Sequence, residues 1–235
     1  MLSDSQIERY SRQIILPQVG GKGQEKLLHA RVLICGTGGW QTQAMLYLAA
    51  AGVGTLGICP DRRSSFAPVA SLFSPTDTLP VVLSRLNPDC AIRLHSERDC
   101  VDQNGIELLV QQYDLLLAEP DEQFHTASYV NRRPLVTTQV SSMDAWLMVC
   151  RGYEKEHPCL WCAIPRQAAE ERKTEKYSPA VPFLGTLQAT EGLKLILGLP
   201  PSDQTKMLHC NFPALSFREQ VIQKNPTCSF CRAQS

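Results

Sequence analysis

Two pairs of cysteines have the spacing of metal ligands. Cys159 and Cys162 lie in the segment PCLWC, and Cys228 and Cys231 lie in CSFC near the end of the sequence. Each pair presents two thiols from one tight turn, and four thiolates meet the needs of a closed tetrahedral zinc site. The pattern therefore predicts a structural zinc ion that ties the end of the sequence to a distant loop. Two unrelated surface turns or a redox Cys-x-x-Cys pair are the alternatives.

A glycine-rich turn, Gly36-Thr-Gly38-Gly39, directly follows the apolar segment RVLIC. Such a turn between a strand and a helix lets the backbone approach a phosphate, and the helix N-terminus supplies free N–H groups and the positive end of a dipole. Gln41 stands where G-x-G-x-x-G has its third glycine, and Trp40 is bulky beside the expected phosphate. The turn predicts a nucleotide-binding type of fold and leaves tight nucleotide binding open.

The composition excludes several classes of partner. Lys and Arg number 23 and Asp and Glu number 23, so a zero net charge argues against nucleic acid or an anionic membrane surface as the main partner. No apolar run is long enough to span a bilayer. The first residues, MLSDSQIERYSRQ, lack a signal-peptide core. We therefore expect a cytoplasmic protein whose cysteines outside the two pairs are mostly reduced, buried core residues.

The elements around the glycine turn alternate between strand and helix patterns. RVLIC, the helical pattern WQTQAMLYLAAAG ended by Gly52, and the strand Thr55–Cys59 form a βαβ unit. Later apolar strands at 91–95, 114–118 and 134–140 predict a parallel sheet that is buried on both faces. The sequence thus predicts an α/β fold with a Rossmann-like, mostly parallel sheet flanked by helices. DAWLMVCRG, KMLHC and ALSFREQVI predict a C-terminal antiparallel β extension.

Local signals mark the ends of several helices. Ser5-Gln-Ile-Glu8 has the pattern of a capping box at the start of the first helix. Further helices are predicted over residues 121–132 and 183–198, the latter ending at Gly198. The charged segment 166–178 lacks an apolar stripe and is predicted to be an exposed loop, with a solvated helix as the alternative.

Several segments closely resemble the ThiF/MoeB/HesA family, bacterial relatives of the ubiquitin-activating enzymes. They are RYSRQIILPQVGGKGQEKL, ARVLICGTGG, LYLAAAGVGTLGI, PCLWC, LGTLQATEGLKLILG and FREQVIQKNPTCSFC. The resemblance implies that the protein binds ATP and Mg²⁺ and adenylates the C-terminal Gly-Gly carboxylate of a small ubiquitin-like sulfur-carrier protein. It also implies a four-cysteine zinc site and a dimer in which an N-terminal arginine reaches the partner's ATP.

The resemblance assigns roles to individual residues. Gly36, Gly38 and Gly39 match the nucleotide-binding turn, and Arg12 matches the arginine that crosses the dimer. Asp121 matches the acid that handles the metal, with a helix N-cap as the competing role. The resemblance also divides a single domain, 1–235, into three parts. A helical arm comprises 1–30, a nucleotide-binding core 31–140, and a zinc-stapled, carrier-docking half 141–235.

Other positions depart from the family's pattern. Pro60 replaces the family's ribose-binding acid, and no lysine occurs between Lys26 and Lys155 to contact phosphate. A remodelled site would use Asp61, Arg62 and Arg63.

Two functions remain open after these departures. The first is an adenylating enzyme with the remodelled site, acting as a homodimer. The second is a catalytically silent scaffold or partner subunit that forms a heterodimer with an active relative. A nicotinamide-dependent oxidoreductase is disfavoured, since no ribose-binding acid is in frame and no hydride-transfer site is evident.

Overall fold

One eight-stranded sheet organises the molecule. The computed structural model describes residues 1–36, 38–59, 78–100, 102–166, 179–199 and 206–232. The strand order is β3-β2-β1-β4-β5-β6-β7-β8. The strands are β1 (Arg31–Cys35), β2 (Thr55–Cys59), β3 (Ala91–Leu94), β4 (Leu115–Ala118), β5 (Leu135–Ser141), β6 (Asp144–Cys150), β7 (Lys206–Asn211) and β8 (Ser216–Val221).

Helices cover both faces of this sheet. They are α1 (Asp4–Ile14), α2 (Gly20–His29), α3 (Gly39–Ala50), α4 (Leu79–Leu86), α5 (Gln103–Val110), α6 (Glu122–Val130), the one-turn α7 (Leu160–Ala163) and α8 (Ala180–Leu197), with a 3₁₀ turn at Glu97–Cys100. Among the residues that the structure describes, none of these helices combines the length and the apolar character needed to cross a membrane.

The pairing of the strands changes once along the sheet, from parallel to antiparallel. β3, β2, β1, β4 and β5 pair in parallel, and β5, β6, β7 and β8 pair antiparallel. The prediction of a Rossmann-like, mostly parallel sheet with an antiparallel C-terminal extension is confirmed. The strand order reverses direction at β1 and β4, and ligands of such sheets bind in the crevice outside the carboxyl ends of the strands at this point.

The core consists of two apolar layers separated by the sheet. Side chains alternate between faces along a strand, so Val32 and Ile34 pack into one layer while Leu33 and Cys35 pack into the other. α3 and α8 cover the first layer, and α5 covers the second. Because β1 and β4 are buried on both faces, their sequences are almost continuously apolar.

Two helix boundaries differ from the predictions. The capping box at Ser5–Glu8 is wrong, because Ser3 has an extended backbone, its hydroxyl accepts from the N–H of Gln6, and the Gln6 side chain accepts in return from Ser3 N. α8 begins at Ala180, earlier than predicted, because the first turn of a helix tolerates Pro182. It ends at Gly198, with φ +69°, as predicted.

Most cysteines outside the two pairs are buried thiols, as expected: Cys35, Cys90, Cys150 and Cys210. Cys59 and Cys100 are instead joined by a disulfide, because the carboxyl end of β2 lies beside the 3₁₀ turn. The predicted exposed loop falls mainly on residues 167–178, which lie outside the described residues.

Candidate functional site

The glycine turn lies at the carboxyl end of β1, where the strand order reverses. Gly36 has φ +102°, a conformation that glycine adopts without steric cost, and its N–H donates to the carbonyl of Cys59 on β2 at 2.8 Å. Gly38 is the N-cap of α3, and Gly39 is its first residue. The N-terminal N–H groups of a twelve-residue helix therefore point toward the crevice. This is the geometry of a phosphate-binding turn.

Gln41 lies against this turn. An ideal Cβ built on Gly36 would be 2.5 Å from Gln41 Nε2, and one built on Gly38 would be 2.7 Å from Gln41 Oε1. The Gln41 amide thus occupies the space that both glycines leave. From the sequence alone, Gln41 was noted only as the residue that replaces the third glycine of G-x-G-x-x-G.

The Trp40 side chain is buried in the core. It is 2% exposed and packs in the layer that contains Val32, Ala44 and Ala189. Its indole Nε1 donates to Oε1 of Glu119, directly after β4, at 3.0 Å. Sequence reasoning noted the bulk of Trp40 and missed Glu119, because a partner 79 residues away in sequence has no local signal.

Asp121 caps α6. Its Oδ1 accepts from the N–H groups of Gln123 and Phe124 at 2.9 and 3.1 Å. The next residue, Glu122, forms a 2.7 Å ion pair with Arg166, whose guanidinium lies 5.6 Å from the Trp161 ring centre. The capping role predicted for Asp121 is therefore present, and its role toward a metal stays a prediction.

Arg12 is exposed near the end of α1. The helix that carries it is fixed by Tyr10, which is buried beneath it. The Tyr10 hydroxyl donates to Asp89 Oδ2 at 3.0 Å and accepts from Asn87 Nδ2 at 2.8 Å. Burial, with a smaller contribution from Asp89, raises the pKa of Tyr10 to about 12, so it stays a donor. The role of Arg12 toward a partner's ATP stays a prediction.

The three remaining residues predicted for nucleotide binding fall in a single short segment. Asp61, Arg62 and Arg63 lie within 60–77, outside the described residues. Of the predicted nucleotide site, the structure therefore describes Gly36, Gly38, Gly39, Arg12 and Asp121.

The four paired cysteines form one cluster. Their sulfur atoms all lie within 4.8 Å of one another. The Sγ–Sγ distances Cys159–Cys162, Cys159–Cys228 and Cys162–Cys231 are each 3.7 Å. Four sulfurs at about 2.3 Å from a central ion form a tetrahedron with edges of about 3.8 Å. The cluster therefore has the dimensions of a tetrathiolate metal site, and the alternative of two unrelated turns is excluded.

Electrostatics within the cluster also suit a cation. The hydrogen bond with Cys159 lowers the pKa of Cys162 to about 5, and the same bond and burial raise the pKa of Cys159. The backbone N–H of Asn225 adds a donor to the Cys162 sulfur at 3.4 Å. Both the hydrogen bond from Cys159 and the Asn225 N–H favour a thiolate at Cys162, and a thiolate attracts a cation.

His125 supports the cluster from α6. It is 2% exposed, and its Nε2 accepts from the N–H of Leu160, the residue after Cys159, at 3.2 Å. Its ring contacts Trp161 and Phe230, with centroids 5.4 and 4.5 Å away. Burial, and then the charge of Arg166, lowers the pKa of His125 to about 3, so it is neutral. Nothing in the local sequence distinguished His125 from a surface helix residue.

Comparison with known proteins places these features in a family. The ThiF family model matches residues 10–62 and 76–230. Among curated proteins, the chain is similar to "Adenylyltransferase and sulfurtransferase MOCS3" of Drosophila willistoni, 32% identical over 254 aligned positions that cover 99% of the chain and 55% of the relative. The protein of the same name from Drosophila yakuba is 33% identical over 253 positions, with the same coverage. The chain thus spans about half the length of these relatives.

Solved structures share the fold. PaaA superposes with a TM-score of 0.77 at 19% identity, covering 94% of this chain and 84% of that one. MccB of E. coli superposes with a TM-score of 0.77 at 17% identity, covering 95% of this chain and 72% of that one. With the glycine turn at the carboxyl end of β1, the four-cysteine cluster and the matched family model, this chain belongs to the ThiF family.

Proposed function

We propose that this chain uses ATP and Mg²⁺ to adenylate the C-terminal carboxylate of a small ubiquitin-like sulfur-carrier protein. Membership of the ThiF family supports the proposal, as do relatives at least 30% identical whose name contains adenylyltransferase. That name combines two activities, and adenylation is the one that a phosphate-binding turn suits.

The position of the glycine turn carries the proposal. Gly38 and the first turn of α3 present N–H groups to the crevice at the switch point of the sheet, where phosphates are stabilised by hydrogen bonds and the helix dipole. In the reaction, a carboxylate oxygen of the carrier attacks the α-phosphorus and a C–O–P bond forms. The bond from that phosphorus to the β-phosphate's bridging oxygen breaks, and pyrophosphate leaves.

Side chains around the turn would supply the remaining charges. The second oxygen of Asp121 would hold Mg²⁺, while Oδ1 keeps its two capping bonds. Arg12 would reach the phosphates of a partner subunit, where a planar, permanently charged guanidinium stabilises negative oxygens. Asp61, Arg62 and Arg63 would complete the site.

The four cysteines would hold a structural zinc ion. Four thiolates complete its coordination and leave no position for a substrate or a reactive water. The zinc would attach the C-terminal segment to the N-terminal end of α7 and so stabilise residues 141–235, the predicted carrier-docking half. A metal held by four thiolates suits a reducing, cytoplasmic location, whereas the Cys59–Cys100 disulfide is the feature of the structure that does not.

A non-adenylating partner subunit is the second candidate function. The Gln41 amide at the glycine turn favours it, because that amide lies where a phosphate would approach. In a heterodimer, Arg12 of such a subunit would contact the ATP phosphates bound by an active relative. Arg12→Ala would then abolish adenylation by the relative, while Arg9→Ala on the same helix would not.

Pyrophosphate exchange separates the two functions. The purified chain is incubated with ATP–Mg, labelled pyrophosphate and a ubiquitin-like protein that ends in Gly-Gly. Carrier-dependent exchange by the chain alone is the expected result. A folded, metal-loaded chain that shows no exchange alone, yet is required for exchange by a relative, would reject the adenylating enzyme in favour of the partner subunit.

A further inference from the structure

The Gln41 side chain packs against two glycines of the glycine turn. It is 4% exposed, and its two amide atoms lie 2.5 and 2.7 Å from the Cβ positions that Gly36 and Gly38 lack. In a dinucleotide-binding turn, the second glycine is needed because it lets the backbone approach a phosphate closely. Here an uncharged amide already occupies that approach.

Few polar contacts hold the amide there. Nε2 donates to the carbonyl of Cys35 at 3.5 Å, the long limit of a hydrogen bond. Oε1 is buried and has no hydrogen-bond partner within the described parts of the chain. A buried polar atom without a partner destabilises the arrangement that contains it. The side chain is therefore well placed to fill the turn and weakly held in place.

We propose that Gln41 sets the nucleotide affinity of this site by occupying the phosphate position, so that a phosphate binds only when the side chain moves away. This inference rests on the proposed nucleotide site. The amide oxygen and a phosphate oxygen compete for one space, and the N-terminal N–H groups of α3 favour the phosphate because they stabilise negative charge. Gln41 thus lowers affinity without removing the binding groups beneath it.

Substitutions that change side-chain size and polarity separately test the proposal. Gln41→Ala and Gln41→Ser open the space, whereas Gln41→Met keeps it filled and removes the amide. Gln43→Ala, on the same helix, is the matched control for loss of a glutamine. Circular dichroism verifies that each variant folds. Two opening variants are made so that the test remains possible if one of them does not fold.

Calorimetric titrations with inorganic pyrophosphate and with ATP–Mg provide the measurement. Both opening variants are expected to bind each anion at least tenfold more tightly than the unsubstituted chain, while Gln41→Met and Gln43→Ala bind as the unsubstituted chain does. Equal binding by the opening variants and the unsubstituted chain, including no binding by any of them, would overturn the proposal. So would tight binding by Gln41→Met.

The two ligands separate this inference from the proposed function. If the opening variants gain affinity for pyrophosphate but not for ATP, Gln41 does occupy an anion site, and adenylation from ATP fails as the function. If the unsubstituted chain catalyses carrier-dependent exchange and the opening variants gain no affinity, the adenylation proposal stands and the role of Gln41 is rejected.

Discussion

The indole Nε1 of Trp40 donates a 3.0 Å hydrogen bond to Oε1 of Glu119, joining the first turn of α3 to the residue after β4. The two strands that lead to these residues, β1 and β4, are neighbours in the sheet. The bond therefore fixes one side of the crevice that the glycine turn faces. It also explains how a large aromatic residue is accommodated directly after that turn.

Loss of the acceptor at Glu119 should destabilise the fold. Glu119→Ala leaves a buried indole N–H without this partner, and we expect the free energy of unfolding to fall by about 1–3 kcal/mol. Urea denaturation measures the change. In a Trp40→Phe background the same substitution should cost less, because the donor is already absent. Equal costs in both backgrounds would show that the two residues are not coupled.

Substitutions of Asp121 should separate capping from metal handling. Asp121→Ala removes the cap of α6 and should lower the free energy of unfolding by about 0.5–2 kcal/mol. Asp121→Asn retains a capping oxygen and should change stability by less than about 0.5 kcal/mol. Under the proposed function both variants lose adenylation, since an amide is a poor Mg²⁺ ligand compared with a carboxylate. Full pyrophosphate exchange by the Asn variant would limit Asp121 to capping.

The cysteine cluster should carry one zinc ion per chain. Elemental analysis of the purified protein should find zinc, and Cys228→Ser should reduce its content at least tenfold, because one of four thiolates is lost. The free energy of unfolding should fall with it, since metal binding is linked to folding. Cys210→Ser is the control, as it replaces a buried thiol outside the cluster. Unchanged zinc content in Cys228→Ser would disprove the assignment.

Acid should destabilise the chain through His125. The pKa of His125 is about 3 in the folded state and about 6.5 when unfolded, so below pH 6.5 the unfolded state binds more protons. Stability from this residue is complete above pH 6.5 and falls by about 1.4 kcal/mol per pH unit toward pH 3. His125→Gln keeps an acceptor for Leu160 and should lose about 2 kcal/mol less than the unsubstituted chain between pH 7 and pH 5.

Denaturation at the two pH values measures this difference. Acid also protonates the cysteine cluster, but it does so in both proteins, so the difference between them isolates His125. Identical pH dependences in the two proteins would show that His125 titrates normally in the folded state.

Local sequence patterns were sufficient for most of the elements and for the two cysteine pairs. The segment RVLIC is almost continuously apolar, which is the pattern of a strand buried on both faces. Gly198 ends α8 because a residue in the left-handed conformation ends a helix. The Cys-x-x-Cys spacing was informative because each turn by itself holds two thiols together. The predicted start of α1 was wrong because capping-box patterns begin at both Ser3 and Ser5, and the predicted start of α8 was late because its first turn tolerates Pro182.

Only the tertiary structure decided what surrounds these elements. Trp40 and Glu119, His125 and Leu160, and the Gln41 amide against Gly38 are contacts made by packing, and no periodicity or spacing encodes them. The sequence by itself determined most of the strands and helices, the glycine turn and the two Cys-x-x-Cys pairs, because each of these depends on residues close together in the chain. Whether the turn is open to a phosphate depends on which way one side chain points, and that is fixed by neighbours brought together only on folding.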